Sequence, residues 1–207
     1  MPKRVDHQAR RALIAEALLR IAADRGLEEV SLRHVAAEAG VSSGMVQHYF
    51  RTKDEMMAFA MEVVRDNAQV RLAAAEQALG ESPSPRVSLR ALLMALLPLD
   101  ERRQLDGRVA LAFLAYAAVR PAIAAELGRD NALMHQWIAE RVRVIRAASP
   151  APPSGGDPLH AATALLATVE GLGVYILSGQ YSPESALAVL DALLDSLLGP
   201  EPVGSAG

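Results

Sequence analysis

The sequence predicts an all-α protein of about nine helices, with a three-helix unit at its N-terminus and a larger helical unit after it. Apolar residues recur every three or four positions along most of the 207 residues, which is the period of an amphipathic α-helix. Prolines and glycines interrupt this pattern where helices are expected to end. The alternating pattern that indicates a strand does not extend over any useful length. These three observations favour helices throughout.

The first predicted helix extends from about residue 6 to residue 26. Gly26 marks its end, because glycine commonly follows the last helical residue. Its buried face is an apolar stripe with a period near 3.6 residues, made of Leu13, Ile14, Ala17, Leu18 and Ile21. With the next two helices it predicts a three-helix bundle that ends near residue 50.

Residues 31–53, with the sequence SLRHVAAEAGVSSGMVQHYFRTK, predict two short helices joined by a tight turn. Ser31 and Ser42 can each cap a helix, because a serine oxygen accepts a backbone N–H that the helix start leaves unpaired. The first helix has one apolar face, formed by Leu32, Val35, Ala36 and Ala39. Gly40 follows it, where a positive φ is needed to leave the helix. This spacing is that of a DNA-reading helix-turn-helix.

The second short helix has one face toward the core and one face outward. Val46 and Phe50 hold it to the core, and its outward residues are Ser43, Gly44, Gln47 and His48. A glutamine amide can bond adenine N6 and N7 together, while serine and histidine can bond base edges or phosphates. Gly44 removes side-chain bulk where the backbone meets the groove. The outward face therefore predicts contact with the major groove.

This segment resembles the DNA-binding domain of the tetracycline-repressor (TetR) family of bacterial regulators. The family pattern is a threonine, a helix containing Ile-Ala, and then Ala-Gly-Val-Ser-x-Gly-x-Leu-Tyr-x-His-Phe-x-x-Lys. Ser31 stands for the threonine, residues 35–36 for the Ile-Ala pair, and residues 40–44 keep GVSSG. Phe50 and Lys53 also match. The departures are Val46 for leucine, Gln47 for tyrosine and Tyr49 for histidine, a variant similar to the BetI-like branch.

The resemblance implies two groups of DNA contacts. Contacts to phosphate are expected from Ser31, Tyr49 and Lys53. Contacts close to the bases are expected from Arg33, Ser43, Gly44, Gln47 and His48. Because Gln47 replaces the usual tyrosine, it is expected to contact either a base or a phosphate.

Formal charge is unevenly divided along the chain, whose net charge is −3. Residues 1–53 hold nine Lys and Arg against six Asp and Glu, a balance of +3, which leaves twelve against eighteen, or −6, for the rest. A basic unit attracts phosphate, and an acidic body is repelled by it. The segregation therefore agrees with DNA contact through the N-terminal unit alone.

Proline and glycine positions divide the remaining chain into six further helices. We expect them at about 53–79, 86–97, 101–119, 121–147, 159–178 and 183–198. The sequence PAPPSGGDP at 150–158 predicts a loop that projects into solvent. The expected domains are a helix-turn-helix DNA-binding domain at 1–52, a helical effector-binding and dimerisation domain at 53–199, and a flexible tail at 200–207.

The last two predicted helices favour a homodimer. Apolar or small residues surround the helix at 159–178 on nearly all sides, so one side is expected to contact something beyond its own core. The expected arrangement is a four-helix interface between two copies, as in the TetR family. Its predicted residues are Leu165, Val169, Leu172, Ile176, Leu187, Leu190, Leu194 and Leu197. The alternative is a helix fully buried within a monomer.

The helical body also supplies candidates for a small-molecule pocket, because such pockets are mostly apolar with a few polar groups. The candidates are Phe113, Tyr116, Met134, Trp137 and Tyr175. Aromatic residues at helical spacing also form ordinary core, and His135 is expected at the surface or in a hydrogen bond. The sequence shows no cationic aromatic cage, so it does not indicate choline as the effector.

We expect a sequence-specific transcriptional regulator, a repressor that a small-molecule effector releases from a pseudo-palindromic double-stranded DNA operator. An enzyme is not expected, because the five histidines are scattered and no His-Glu-x-x-His motif or phosphate-binding glycine loop occurs. We also expect no cofactor and no metal. The alternative is a helical dimer that binds a small molecule or a partner without reading a specific operator.

The sequence also predicts a cytoplasmic location. Cysteine is absent, which excludes disulfides and thiolate chemistry. No signal peptide and no long uncharged apolar run is recognisable, so no association with a membrane is expected.

Overall fold

The computed structural model describes residues 2–26, 29–149 and 156–199. These residues form nine helices, which are α1 (Pro2–Arg25), α2 (Leu32–Ala39), α3 (Ser43–Tyr49), α4 (Lys53–Ala78), α5 (Pro85–Leu96), α6 (Glu101–Ala118), α7 (Pro121–Ala148), α8 (Pro158–Leu177) and α9 (Pro183–Leu198). The predicted all-α fold class is confirmed. Most of the predicted loop at 150–158, and the whole predicted tail at 200–207, lie outside the described residues.

Side-chain caps and prolines set many of these helix ends. Ser84 accepts the backbone N–H of Val87 at 3.2 Å, and Asp100 accepts that of Arg103 at 2.9 Å. Helices α5, α8 and α9 each have a proline in the first turn, where the missing N–H has no helical partner to lose. The start of α1 lies before the predicted residue 6, and the other ends differ from prediction by at most one or two positions.

The chain divides into two compact units. Unit 1 consists of Met1–Gln69 and Asp100–Pro121, and unit 2 of Val70–Leu99 and Ala122–Gly207. This partition groups α6 and most of α4 with the N-terminal helices, whereas the sequence predicts a DNA-binding domain that ends at residue 52. That DNA binding belongs to residues 1–52, and effector binding and dimerisation to residues 53–199, stays a prediction.

In unit 1, α1 packs against both α2 and α6. The apolar stripe predicted on α1 is buried at Ile14, Ala17, Leu18 and Ile21, whereas Leu13 is exposed. Helix α6 turns Val109, Phe113 and Ala117 into the same core. Asp106 is also buried there, and it accepts a hydrogen bond from Asn67 Nδ2 at 3.1 Å. The core of unit 1 thus combines helices that are far apart in sequence.

In unit 2, α8 and α9 pack against each other and against α5. Two ion pairs join α5 to α9, because Arg90 meets Asp191 at 2.6 Å and Arg86 meets Asp195. Arg146 Nη2 donates to the carbonyl of Leu197 at 3.0 Å. Cations near the last carbonyls of a helix also favour its dipole.

Helix α8 is long and apolar enough to cross a membrane by length and composition alone. The run is apolar but not uncharged, because it includes Glu170. Seven of its residues are buried within the chain, namely Ala161, Ala162, Leu165, Leu166, Val169, Leu172 and Ile176. The central helix of a packed bundle passes the same test, so this feature is weak evidence for a membrane span.

Candidate nucleic-acid interface

The turn between α2 and α3 has the geometry that the sequence predicts. Ser31 Oγ accepts the backbone N–H of His34 at 3.1 Å and caps α2. Gly40 ends the helix with a φ of 65°. Its N–H donates to the carbonyl of Ala37 at 3.3 Å, and that of Val41 donates to Ala36 at 2.9 Å. These two bonds form a Schellman motif, which satisfies the last carbonyls of α2.

Helix α3 is capped at its start and buried on one side only. Ser42 Oγ accepts the backbone N–H of Met45 at 3.2 Å. Val46 is fully buried, and the N–H of Phe50 donates to its carbonyl at 2.9 Å. Phe50 is itself buried and anchors the end of the helix. The other side of α3 is therefore left at the surface.

The structure brings the predicted DNA-contact residues to the surface of the helix-turn-helix. The exposed ones are Arg33, Ser43, Gly44, Gln47 and His48. The half-buried ones are Ser31, Tyr49 and Lys53, the three with a predicted phosphate contact. The rings of His48 and Tyr49 lie edge to face with centroids 5.4 Å apart. Which of these residues touches DNA stays a prediction.

An arginine that sequence reasoning missed joins α1 to the end of α3 and to α4. The guanidinium carbon of Arg11 lies 4.1 Å from the ring centroid of Phe59 and 5.5 Å from that of Phe50. The two rings are 5.3 Å apart. A cation over an aromatic face is attracted by the ring quadrupole. Spacing along the chain carries no signal for this contact, because its three members come from distant segments.

His34 is a further exposed residue beside Arg33 that the predicted site omitted. Its Nδ1 lies 2.6 Å from the carbonyl oxygen of Glu29, so Nδ1 carries the proton and donates to that oxygen. The bond fixes the orientation of the ring at the start of α2. Its position directly after Arg33 is the signal that could have identified it.

The first turn of α4 is held at several points. Thr52 Oγ1 accepts the N–H of Glu55 at 3.1 Å, and the Glu55 carboxylate accepts the N–H of Arg51 at 2.6 Å. Tyr116 of α6 donates a hydrogen bond to the Asp54 carboxylate. Lys53 is the first residue of this turn, so its backbone is fixed beside the end of α3.

Two family models match the chain. Residues 14–58 match bacterial regulatory proteins of the tetR family, and residues 85–199 match the C-terminal part of the BetI-type transcriptional repressor. The second match alone covers more than half of the 207 residues. The chain belongs to the TetR family. The similarity to the BetI-like branch that the sequence indicates is thereby confirmed.

Named TetR-family relatives are regulators as well. The chain is 40% identical to the HTH-type transcriptional regulator PksA of Bacillus subtilis strain 168 over 117 residues, a match that spans 56% of each chain. It is 29% identical to the HTH-type transcriptional regulator BetI of Burkholderia thailandensis, over 97% of this chain and 99% of that one. These relatives are transcriptional regulators and not enzymes, as the sequence predicts. The chain is therefore a helix-turn-helix transcriptional regulator.

Solved structures share the whole TetR-family fold. A transcriptional regulator from Rhodococcus sp. Rha1 has a TM-score of 0.79 at 34% identity, over 93% of this chain and 99% of that one. A regulator from Saccharomonospora viridis, solved in complex with choline, has a TM-score of 0.76 at 23% identity, over 89% of this chain and 95% of that one. The second similarity concerns the fold alone.

The residues predicted to bind an effector fall into both units of this TetR-family chain. In unit 1, Phe113 is buried and its ring stacks on that of Tyr116 with centroids 6.4 Å apart. In unit 2, the guanidinium carbon of Arg141 lies 3.3 Å from the ring centroid of Trp137, and the ring centroids of Tyr175 and Tyr181 are 5.1 Å apart.

Two further residues of unit 2 bear on the predicted pocket. The half-buried Met134 packs against the core of unit 2, and His135 Nδ1 lies 2.7 Å from the carbonyl oxygen of Asn131. That the predicted residues line one effector pocket stays a prediction.

A cavity of about 130 Å³ in unit 2 is lined by none of these residues. Its walls come from the start of α5 and the ends of α7 and α9, namely Ser84, Pro85, Arg86, Ile145, Ala148, Ser149 and Leu198. Small-molecule pockets typically have volumes of roughly 300–1,000 Å³. This cavity is therefore too small to serve as the predicted effector pocket without rearrangement.

The residues predicted for the dimer interface lie mostly in the core of one chain, and their part in an interface stays a prediction. Six of the eight are buried in the core of a single chain, namely Leu165, Val169, Leu172, Ile176, Leu190 and Leu194. The other two, Leu187 and Leu197, are half-buried against that core. A side chain without exposed surface has little left to offer a partner. The large apolar residues exposed on α8 and α9 are Leu159, Val174, Tyr175 and Val189.

Proposed function

We propose that this regulator is a cytoplasmic homodimeric repressor that binds a pseudo-palindromic operator and is released by a small-molecule effector. Repression is typical of the TetR family to which the chain belongs. The observation that carries the proposal is α3, which is anchored by Val46 and Phe50 and has Gln47 and His48 on its exposed side. A capped helix with a polar outer face suits the major groove.

Within this proposal, bases and phosphates are contacted by different residues. Gln47 has the amide that can bond adenine bidentately, and Arg33 and Ser43 lie exposed on the same motif. Lys53 begins α4, where an ammonium group contacts phosphate without reading sequence. The basic balance of +3 in residues 1–53 supports DNA contact through this part of the chain.

The exposed sides of α8 and α9 are the proposed dimer interface. They combine large apolar residues with small ones, including Val174, Val189 and Ala192. An isologous interface uses the same patch on both copies. Two reading helices related by the two-fold axis then bind half-sites about 34–36 Å apart.

Release by an effector requires two conformations with different spacing of the reading helices. A ligand shifts such an equilibrium only if it binds the conformation that fits DNA poorly with higher affinity. Helix α4 includes residues of both units, since the division falls after Gln69. It is the proposed route by which an event in unit 2 reaches Lys53.

Gel shifts on the DNA that flanks the protein's own gene test the proposed site. Gln47→Ala is expected to lower the preference for operator over unrelated duplex by about 1–3 kcal/mol at each half-site. Arg33→Ala is expected to act in the same direction. Lys53→Ala is expected to weaken both duplexes equally and to reduce the slope of log affinity against log salt by about 0.9 for each protomer, or about 1.8 for the dimer.

Arg129→Ala is the matched control, because it removes one exposed cation from α7 in the acidic body. It is expected to bind like the unchanged protein. If all four variants bound every duplex with the affinity of the unchanged protein, the site assignment would be contradicted. Binding without any preference for operator would instead support the alternative of a helical dimer that does not read a specific sequence.

A further inference from the structure

The Tyr116 side chain links α6 to the first turn of α4. Its hydroxyl donates a hydrogen bond to the Asp54 carboxylate, although the two residues are 62 positions apart. Both belong to unit 1. Asp54 directly follows Lys53 in the chain. A contact that fixes Asp54 therefore also restricts the direction in which the Lys53 side chain projects from the helix.

The aromatic ring of Tyr116 is itself held by two neighbours. The guanidinium carbon of Arg120 lies 3.5 Å from the ring centroid, and Arg120 Nη1 donates to the Tyr116 carbonyl at 3.0 Å. The Phe113 ring stacks against the ring at 6.4 Å. Because the ring is fixed by contacts that do not involve the hydroxyl, the hydroxyl reaches Asp54 from a preset position.

The Tyr116 hydroxyl can donate to Asp54 across the neutral pH range. The bond to Asp54, desolvation and the negative charge of Asp54 raise the pKa of the Tyr116 hydroxyl above 10.0, and Arg120 opposes this change. The group therefore stays protonated at neutral pH and keeps donating to the carboxylate.

We propose that Tyr116 is a positioning residue for operator binding, which acts by fixing Asp54 and with it the first turn of α4 that presents Lys53 to phosphate. The inference rests on the proposed role of Lys53 in DNA binding. Tyr116 itself is not expected to contact DNA. Its effect reaches the duplex only through Lys53.

Tyr116→Phe tests the proposal, because it removes the hydroxyl and keeps the ring that stacks on Phe113 and Arg120. Loss of one intramolecular hydrogen bond in each protomer is expected to weaken binding of the dimer by about tenfold to a hundredfold. Operator and unrelated duplex should weaken equally, and the salt slope should fall as it does for Lys53→Ala. Tyr181→Phe is the control, since it removes an exposed hydroxyl from unit 2.

Double variants distinguish positioning from a general loss of stability. Tyr116→Phe is expected to cause no further weakening when added to Lys53→Ala, but to add its full effect to Gln47→Ala. Additive effects with Lys53→Ala, or unchanged binding by Tyr116→Phe, would overturn the inference. If Lys53→Ala alone binds like the unchanged protein, the proposed phosphate contact fails first and the inference fails with it.

Discussion

Two glycines of the helix-turn-helix have different physical roles, although they are only four positions apart. Gly40 has a φ of 65°, a left-handed conformation that disfavours any side chain even though an added Cβ would meet no other atom within 4 Å. Gly44 has an ordinary helical backbone on the exposed side of α3, and an added Cβ would meet only Ser42 Oγ at 4.0 Å. The first glycine serves the fold, and the second keeps the outer surface of α3 flat.

Alanine at these two positions is expected to separate stability from DNA binding. Gly40→Ala should lower the free energy of unfolding by about 1–2 kcal/mol, because alanine is strained in the left-handed region. Gly44→Ala should raise it by about 0.5 kcal/mol, because alanine favours a helix. Urea unfolding measures both changes.

DNA binding provides the second readout for this pair. Gly44→Ala is expected to weaken operator binding despite its higher stability, because a methyl group then stands between α3 and the groove. An unchanged operator affinity for Gly44→Ala would show that the exposed side of α3 does not approach DNA closely.

At the scale of whole helices, an ion pair between Arg90 and Asp191 joins α5 to α9. Arg90 Nε and Nη2 donate to the two carboxylate oxygens at 2.6 and 2.8 Å. The hydrogen bonds from Arg90 hold the pKa of Asp191 below its ordinary value of 3.8, against the opposing effect of burial. A carboxylate whose pKa is lowered by folding stabilises the protein above its unfolded pKa and loses this effect as pH falls through the folded pKa.

Asp191→Asn is therefore expected to destabilise the fold in a pH-dependent way. Both partners are 42% exposed, so the loss at neutral pH should reach at most about 1 kcal/mol. Urea unfolding at decreasing pH should show the difference from the unchanged protein shrinking below pH 3.8. Glu170→Gln, which alters an exposed carboxylate of α8, is the control. A constant difference across this range would contradict the ion-pair explanation.

Helix positions could be predicted from the sequence because their signals are local. Ser31, Ser42 and Gly40 mark the ends of α2 and α3, and their caps form as predicted. Local sequence does not show which segment of the molecule packs against each apolar face. Periodicity identifies a leucine stripe on α9, but it does not distinguish burial against α8 of the same chain from burial against another copy.

The same reasoning explains what was missed around the candidate site. The outward set on α3 follows from helical spacing alone, so it could be identified from the sequence. The contacts of Arg11 with Phe59 and of Tyr116 with Asp54 join segments distant in sequence. They depend on how helices pack, and single-sequence patterns do not contain that information.

At the scale of the whole molecule, the exposed apolar side chains of α8 and α9 bear on assembly. Val189 is 41% exposed on α9, next to the exposed Ala188 and Ala192. A patch of this kind is suited to an isologous contact, because burial of apolar surface favours association.

Val189→Glu is expected to convert the proposed dimer into a monomer, because it would place two carboxylates in the apolar contact between the copies. Sedimentation at micromolar concentration should then give the 22.0 kDa of one chain. Val70→Glu, at a residue that is 70% exposed on α4, is the control and should leave the mass unchanged. A monomeric mass for the unchanged protein would end the dimer proposal.

The place of α6 in unit 1 limits how such regulators can be recombined. Val109, Phe113 and Ala117 are buried in unit 1, although they follow α3 by about sixty residues. A fragment cut after α4 would lose this cover and leave the part of α1 that packs against α6 open to water. A DNA-reading head exchanged between relatives at that border would therefore meet a foreign α6. The N-terminal helices therefore do not form an independent folding unit. Chimeras of two relatives are best made with α1–α4 and α6 taken from one parent.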